Sequence, residues 1–171
     1  TEKIKVASAE FLRRIAFNDP RIFLLDKQTV VLNGKINQFK GSGGLAENIR
    51  NAKKNASQIM EMAKSKNLKP LFLANAALTK LGNQRGDVVA TAQSMLEVLD
   101  NLSRVLGNEL ADDNLLVIAI YERGSAEGLQ NKLAGLTKKF PNERPQTIRT
   151  IWFLKENGEL SNPEFDFALQ F

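Results

Sequence analysis

Hydrophobic residues recur along this chain at intervals of three and four, the spacing typical of amphipathic helices. The longest unbroken apolar run is Leu115 to Tyr121. A helix that is apolar on every side must be surrounded by other elements. Asp112 to Asn114 supply N-cap candidates before the run, and Gly124 supplies a C-cap after it. We therefore expect a helix at the centre of the core here.

Further apolar stripes predict helices on both sides of this run, separated by residues that favour turns. Pro70 is suited to the first turn of a helix, Gly82 to a helix end, and Asp87 to an N-cap. The expected helices comprise about three turns within residues 1–19, and then 45–66, 70–82, 88–106, 125–140 and 145–157.

Residues 21–39 are ambiguous. Leu25, Thr29, Leu32 and Ile36 form a helical stripe, whereas the Asn33-Gly34 pair is typical of a β-hairpin turn. The helical neighbourhood favours a helix. The Gly-rich stretch that follows, residues 40–44, lacks the Lys-Ser/Thr ending of a phosphate-binding loop and predicts a flexible connector.

Together these patterns predict an all-α fold, a compact single-domain bundle of seven or eight helices over residues 1–171. Residues 1–44 hold N-terminal helices and the Gly-rich loop, and 45–158 form the helical core. The tail, 159–171, has three Phe in its last seven residues. We expect it to dock on the body or to continue into an absent domain.

The amino-acid composition excludes several kinds of functional site. The chain has no Cys and no His, which excludes disulfides, the usual zinc sites and His-dependent relays, and no metal or cofactor is expected. The net charge of +5 is attributed to Lys and Arg coating the helices, so nucleic acid is not an expected partner. No apolar run is long enough to span a bilayer. The first residue is Thr, so we expect a segment of a longer chain.

Three segments occur in an order typical of one enzyme family. They read N-A-S-Q-I-M-E-M-A-K-S-K-N-L-K-P-L-F-L-A-N-A-A (55–77), L-L-V-I-A-I-Y-E-R-G (115–124) and R-P-Q-T-I-R-T-I-W-F-L (144–154). They resemble the soluble lytic transglycosylases, goose-type-lysozyme-like enzymes that cleave bacterial peptidoglycan. The matching family segments are the L-x-P-x-L approach to the catalytic helix, L-A-L-A-A-Y-N-A-G, and P-E-T-R-x-Y-V. The resemblance implies a lysozyme-like helical scaffold and an extracytoplasmic location, in the periplasm or cell envelope.

The departures from the family concern its active site. The family's catalytic glutamate should closely follow Asn75-Ala76-Ala77, where this chain has Leu78-Thr79-Lys80. Protonating a glycosidic oxygen requires a carboxylic acid. The family's G-L-M-Q segment is also missing, because only Gly82 to Asp87 joins the two helices. The resemblance therefore implies a degenerate member that lacks the catalytic lobe.

Glu122 stands where the family has Asn and is the weak candidate for a substitute acid; a salt bridge to Arg123 or Lys80 is the alternative interpretation. The resemblance makes Tyr121, Glu122, Arg123, Thr79 and Lys80 the candidate ligand-binding residues. The single Tyr and the single Trp, Trp152, have the geometry to stack on a sugar, but their apolar contexts favour core packing.

The expected function is a non-catalytic binding or interaction module, with peptidoglycan or an envelope protein as its partner. One alternative is an active peptidoglycan-cleaving lytic enzyme that uses Glu122 as its acid. The other is a helical signalling or scaffold domain unrelated to the transglycosylases.

Overall fold

The predicted helices are present in a computed structural model, which describes residues 1–18 and 24–171. The model is 75% helix, with no strand in the part described, so the all-α prediction is confirmed. The helices are α1 (Glu2–Ile15), α2 (Asp26–Phe39), α3 (Gly43–Lys54), α4 (Ala56–Ser65), α5 (Pro70–Leu81), α6 (Val88–Leu106), α7 (Ala111–Ala119), α8 (Glu127–Lys139), α9 (Pro145–Ile148), α10 (Ile151–Glu156) and α11 (Asn162–Gln170). A 3₁₀ turn, Tyr121–Arg123, follows α7.

The number of helices exceeds the seven or eight expected. Over the described residues there are eleven, nine of them with at least seven residues. The expected 45–66 helix is interrupted at Asn55, whose side chain donates to the carbonyl of Asn51 at 2.9 Å and competes with helical bonding. The expected 145–157 helix is divided at Thr150, whose hydroxyl accepts from the amide of Phe153 and starts α10.

The apolar run of α7 lies at the centre of the core, as predicted. Leu116 to Ile120 are all buried, and α7 packs against α1, α6, α10 and α11. The predicted N-cap position is wrong, because α7 already begins at Ala111. Asp113 still caps the helix from its third residue, since its carboxylate accepts from the amide of Leu110 at 3.4 Å, and it also accepts from Arg149 Nη2 at 2.8 Å. Gly124 ends the 3₁₀ turn at φ 67, as its C-cap role predicts.

The predicted stop and start signals around α5 and α6 are confirmed. Pro70 opens α5, and Gly82 ends it with φ 59, a conformation that favours glycine. The side chain of Asp87 accepts from the amide of Ala90 at 3.0 Å and caps α6. Small buried residues, Ala76 and Ala77 on α5 and Ala92 on α6, let these two helices pack closely along their length.

The ambiguous segment is helical from Asp26 onward, so the helix preference over 21–39 is confirmed there; residues 21–23 lie outside the described part. The Gly-rich stretch is shorter than expected, because α3 already begins at Gly43. The hydroxyl of Ser42 accepts from the amide of Leu45 at 3.1 Å, so Ser42 is an N-cap rather than part of a connector.

The C-terminal tail, residues 159–171, packs on the other helices, which was one of the two expectations from the sequence. It forms α11, which packs against α7, α10 and α2. The ring of Phe171 lies edge-on to Phe11 and Phe72, with centroid distances of 5.4 and 5.7 Å. The two ends of the chain therefore meet over the core.

Candidate functional site

Four of the five candidate ligand-binding residues lie together on one surface. Tyr121, Glu122 and Arg123 form the 3₁₀ turn after α7, and Lys80 occupies the last turn of α5. Lys80 Nζ lies 2.9 Å from a carboxylate oxygen of Glu122 and 5.1 Å from the centroid of the Tyr121 ring. We refer to Lys80, Tyr121 and Glu122 as the Lys80 cluster.

The carboxylate of Glu122 faces solvent, with its side chain 66% exposed. A glycosidase acid is typically held in an apolar pocket that favours its protonated form, whereas the exposed carboxylate of Glu122 is paired with the ammonium of Lys80. The ion pair of Glu122 with Lys80 is the salt bridge that the sequence analysis gave as the alternative to a catalytic role.

Arg123 acts between elements rather than toward a ligand. Its guanidinium bonds to the Glu164 carboxylate on α11, with Nη2 at 2.5 Å and Nε at 2.9 Å. Nη2 also donates to the carbonyl of Glu159 at 3.0 Å. These contacts fasten the 3₁₀ turn to α11 and to the segment before it, and they occupy the Nε and Nη2 donors of Arg123.

Thr79 does not join the other four residues. Although it precedes Lys80, it is buried, and its hydroxyl donates to the Asn75 carbonyl at 2.7 Å. Thr79 lines a separate cavity beneath α2. The two neighbouring residues point to different sides of α5, as consecutive helical positions must.

Tyr121 and Trp152 pack against other aromatic side chains, as their apolar sequence contexts predicted. Tyr121 is buried and stacks on Phe167 of α11, with centroids 6.4 Å apart. Trp152 is half-buried and meets Phe165 edge-to-face at 5.3 Å. Each ring therefore packs against a Phe from the tail.

The sequence did not predict a second feature, an apolar trough on the core-facing side of α2. It consists of two cavities of about 380 and 290 Å³. Both are lined by Leu32 and Ile36 of α2 and by Leu169 and Gln170 of α11. The only sequence signal was the thin apolar stripe of α2, formed by Leu25, Thr29, Leu32 and Ile36.

Charge is distributed unevenly around this trough. Among its described lining residues, the charged ones are Lys35 and Lys40, with no acid. Lys35 pairs with Asp166 on α11. Burial raises the pKa of Asp166, but hydrogen bonds from Lys35 and Gln170, together with the charge of Lys35, outweigh it and set that pKa below the usual 3.8.

No helix among the described residues combines the length and apolar character needed to cross a bilayer. Comparison with protein-family models, with curated proteins and with solved structures finds no match to this chain.

Proposed function

We propose that this chain is a non-catalytic binding module of the bacterial cell envelope, built on a helical scaffold related to the lytic transglycosylases, and that it binds peptidoglycan at the Lys80 cluster. The observation that carries this proposal is the contact between Lys80 and Glu122. The resemblance assigns residues 78–80 to the family's glutamate position and 121–124 to its Y-N-A-G position. These segments are 42 positions apart yet meet at 2.9 Å.

The chemistry at this contact suits binding better than cleavage. A carboxylic acid would have to protonate the leaving oxygen, whereas an ammonium now occupies the corresponding position. An exposed ammonium and carboxylate side by side provide donors and acceptors for sugar hydroxyls and for the carboxylates of peptidoglycan peptides. The chain's net charge of +5 further favours an anionic wall polymer.

The test is co-sedimentation of the purified chain with isolated sacculi, with the supernatant analysed for released muropeptides. We expect binding without release. Lys80→Ala should weaken binding about fivefold, the loss of one charge-assisted contact. The matched control is Lys132→Ala, which removes the same charge from another exposed ion pair, Lys132–Glu159 at 3.2 Å, and should leave binding unchanged.

Two results would contradict the proposal. Muropeptide release that disappears in Glu122→Gln would show an enzyme that uses this carboxylate. Equal sedimentation of the Lys80→Ala and Lys132→Ala variants would place binding elsewhere or reduce it to nonspecific charge attraction.

An envelope protein is the second candidate partner, and one observation favours it. The outer face of α2 exposes Val30 and Val31, apolar side chains that a protein contact would cover. Two results together would support this alternative. The chain would fail to sediment with sacculi, and it would capture one envelope protein in a contact that Val30→Glu abolishes.

A further inference from the structure

The two cavities beneath α2 adjoin each other and together form the trough. Four residues border both cavities: Leu32 and Ile36 of α2, which we call the ridge, and Leu169 and Gln170 of α11. One end lies between α3 and α5, where Leu45 and Leu78 contribute apolar surface. The other end reaches Phe11, Trp152 and Phe171. Each cavity has a volume near the lower end of the range for small-molecule sites.

The helix that covers the trough is weakly attached to the body. Of its fourteen residues only Thr29 is buried. Ion pairs hold its edges: Lys5 with Asp26, Lys27 with Glu156 at 3.3 Å, and Lys35 with Asp166. The pairs of Asp26 and Lys27 are solvent-exposed and contribute little to stability, whereas the Lys35 side chain in the third pair is only 11% exposed. Gly41, with φ 79, lies two residues beyond the end of α2 and can absorb a change in the direction of the helix. Moving α2 outward therefore costs far less than moving a core helix.

The lining specifies what the trough would hold. Its floor and walls are mostly aliphatic and aromatic, so an extended hydrocarbon chain fits them. Lys40, at the mouth of the larger cavity, has no ion-pair partner among the described residues. With Lys35 close by and no acid in the described lining, an anionic head group is favoured over a neutral or cationic one.

We propose that the trough binds a free fatty acid, with its carboxylate at Lys40 and its hydrocarbon chain running beneath Leu32 and Ile36 to Trp152, and that α2 is the lid over it. This inference does not rest on the proposed peptidoglycan binding. The Lys80 cluster and the trough lie on different sides of α5, so either can fail without the other.

The single Trp of the chain gives a direct test. Because Trp152 lines the far end of the trough, a bromine at the end of a bound chain would quench its fluorescence by contact. Titration with ω-bromoundecanoic acid, below its critical micelle concentration, should give saturable quenching of the full chain. Unbrominated dodecanoic acid should reverse the quenching by competition. Dodecyltrimethylammonium, with a similar chain but a cationic head, should compete at least about tenfold more weakly.

Two matched variants separate the trough from the protein's surface. Ile36→Glu places an acid on the ridge, at a side chain that is 49% exposed, and should weaken binding by about tenfold or more. Val30→Glu makes the same change in charge on the outer face of α2, where the side chain is 69% exposed, and should change binding less than about twofold. Circular dichroism confirms that both variants remain folded.

Three outcomes would overturn the proposal. The first is the absence of saturable quenching below the micelle concentration. The second is equal weakening by Ile36→Glu and Val30→Glu, which would indicate surface adsorption. The third is quenching that appears only with brominated phospholipid vesicles, which would indicate a membrane surface rather than a free fatty acid.

Discussion

Gly44 is the residue where α3 approaches the turn between α5 and α6 most closely. A Cβ atom at this position would lie 1.9 Å from the carbonyl oxygen of Asn83. The contact is held from the same helix by Asn48, which is fully buried. Its amide donates to the Gln84 carbonyl at 2.8 Å and accepts from the Gly86 amide at 3.1 Å. One glycine and one asparagine therefore position the α5–α6 turn.

Gly44→Ala is expected to lower the free energy of unfolding by about 2 kcal/mol, because the added methyl meets backbone atoms that cannot rotate away. Gly43→Ala is the matched control: a Cβ there meets nothing within 4 Å, so its effect should stay within about 0.5 kcal/mol. Urea denaturation of both variants measures the difference. Equal destabilisation by the two substitutions would show that the contact with Asn83 does not determine the requirement for glycine.

Among the elements, α2 differs from the other long helices in how it is held. Its outer face exposes Val30 and Val31, and its inner stripe borders cavities instead of filling the core. Two of the ion pairs that fix it involve carboxylates with lowered pKa values. The hydrogen bond and charge of Lys5 lower the pKa of Asp26. At Asp166, burial raises the pKa, but the contacts with Lys35 and Gln170 outweigh burial, so the pKa is lowered overall.

These pKa directions predict that acid weakens the attachment of α2. A carboxylate with a lowered folded-state pKa binds fewer protons when folded than when unfolded. Such a carboxylate therefore stabilises the fold at pH values above its unfolded-state pKa of 3.8. It loses that contribution as the pH falls below 3.8. The stability difference between the native chain and Asp166→Asn should be largest near neutral pH and shrink as the pH is lowered through this range.

Urea unfolding of both chains over a series of pH values measures this difference. Glu61→Gln, on the exposed side of α4, serves as the control for removing a carboxylate. A difference that grows toward acid pH would have the wrong sign and would contradict the ion-pair account of α2.

At the scale of the whole molecule, helices from both ends of the chain enclose α7. The α1 and α11 helices contact it from different parts of the sequence. The backbone carbonyl of Phe171 accepts from Asn75 of α5 at 2.5 Å. The three parts of the chain that the sequence suggested, 1–44, 45–158 and 159–171, are thus joined by direct contacts between their helices.

Because of these contacts, we expect the chain to unfold in one cooperative transition. Trp152 reports on the junction of α10 and α11 through its contact with Phe165, whereas far-ultraviolet circular dichroism reports on all helices. The two urea transitions should coincide in midpoint and slope. An earlier transition of the fluorescence signal would show that the tail detaches as an independent unit.

The sequence by itself determined the helical class and several helix ends, although it did not predict that the tail forms α11. Caps, prolines and glycines act on their own backbone neighbours, so Pro70, Gly82, Asp87 and Gly124 could be interpreted without knowledge of the fold. The apolar run of α7 likewise identified the core, because a helix without a polar face has only one stable environment. The breaks at Asn55 and Thr150 were missed, because each depends on a side-chain hydrogen bond that competes with an otherwise helical pattern.

Only the tertiary structure decided which distant residues meet and where the core remains unfilled. Lys80 and Glu122 form their pair because α5 and the turn after α7 converge, and Thr79 is separated from them because it faces the other side of α5. The stripe of α2 indicated a helix but not the trough, since periodicity gives the direction of a side chain and not the distance to its neighbours. That distance is set in three dimensions, where residues of α1, α3, α5 and α11 border the cavities beneath α2.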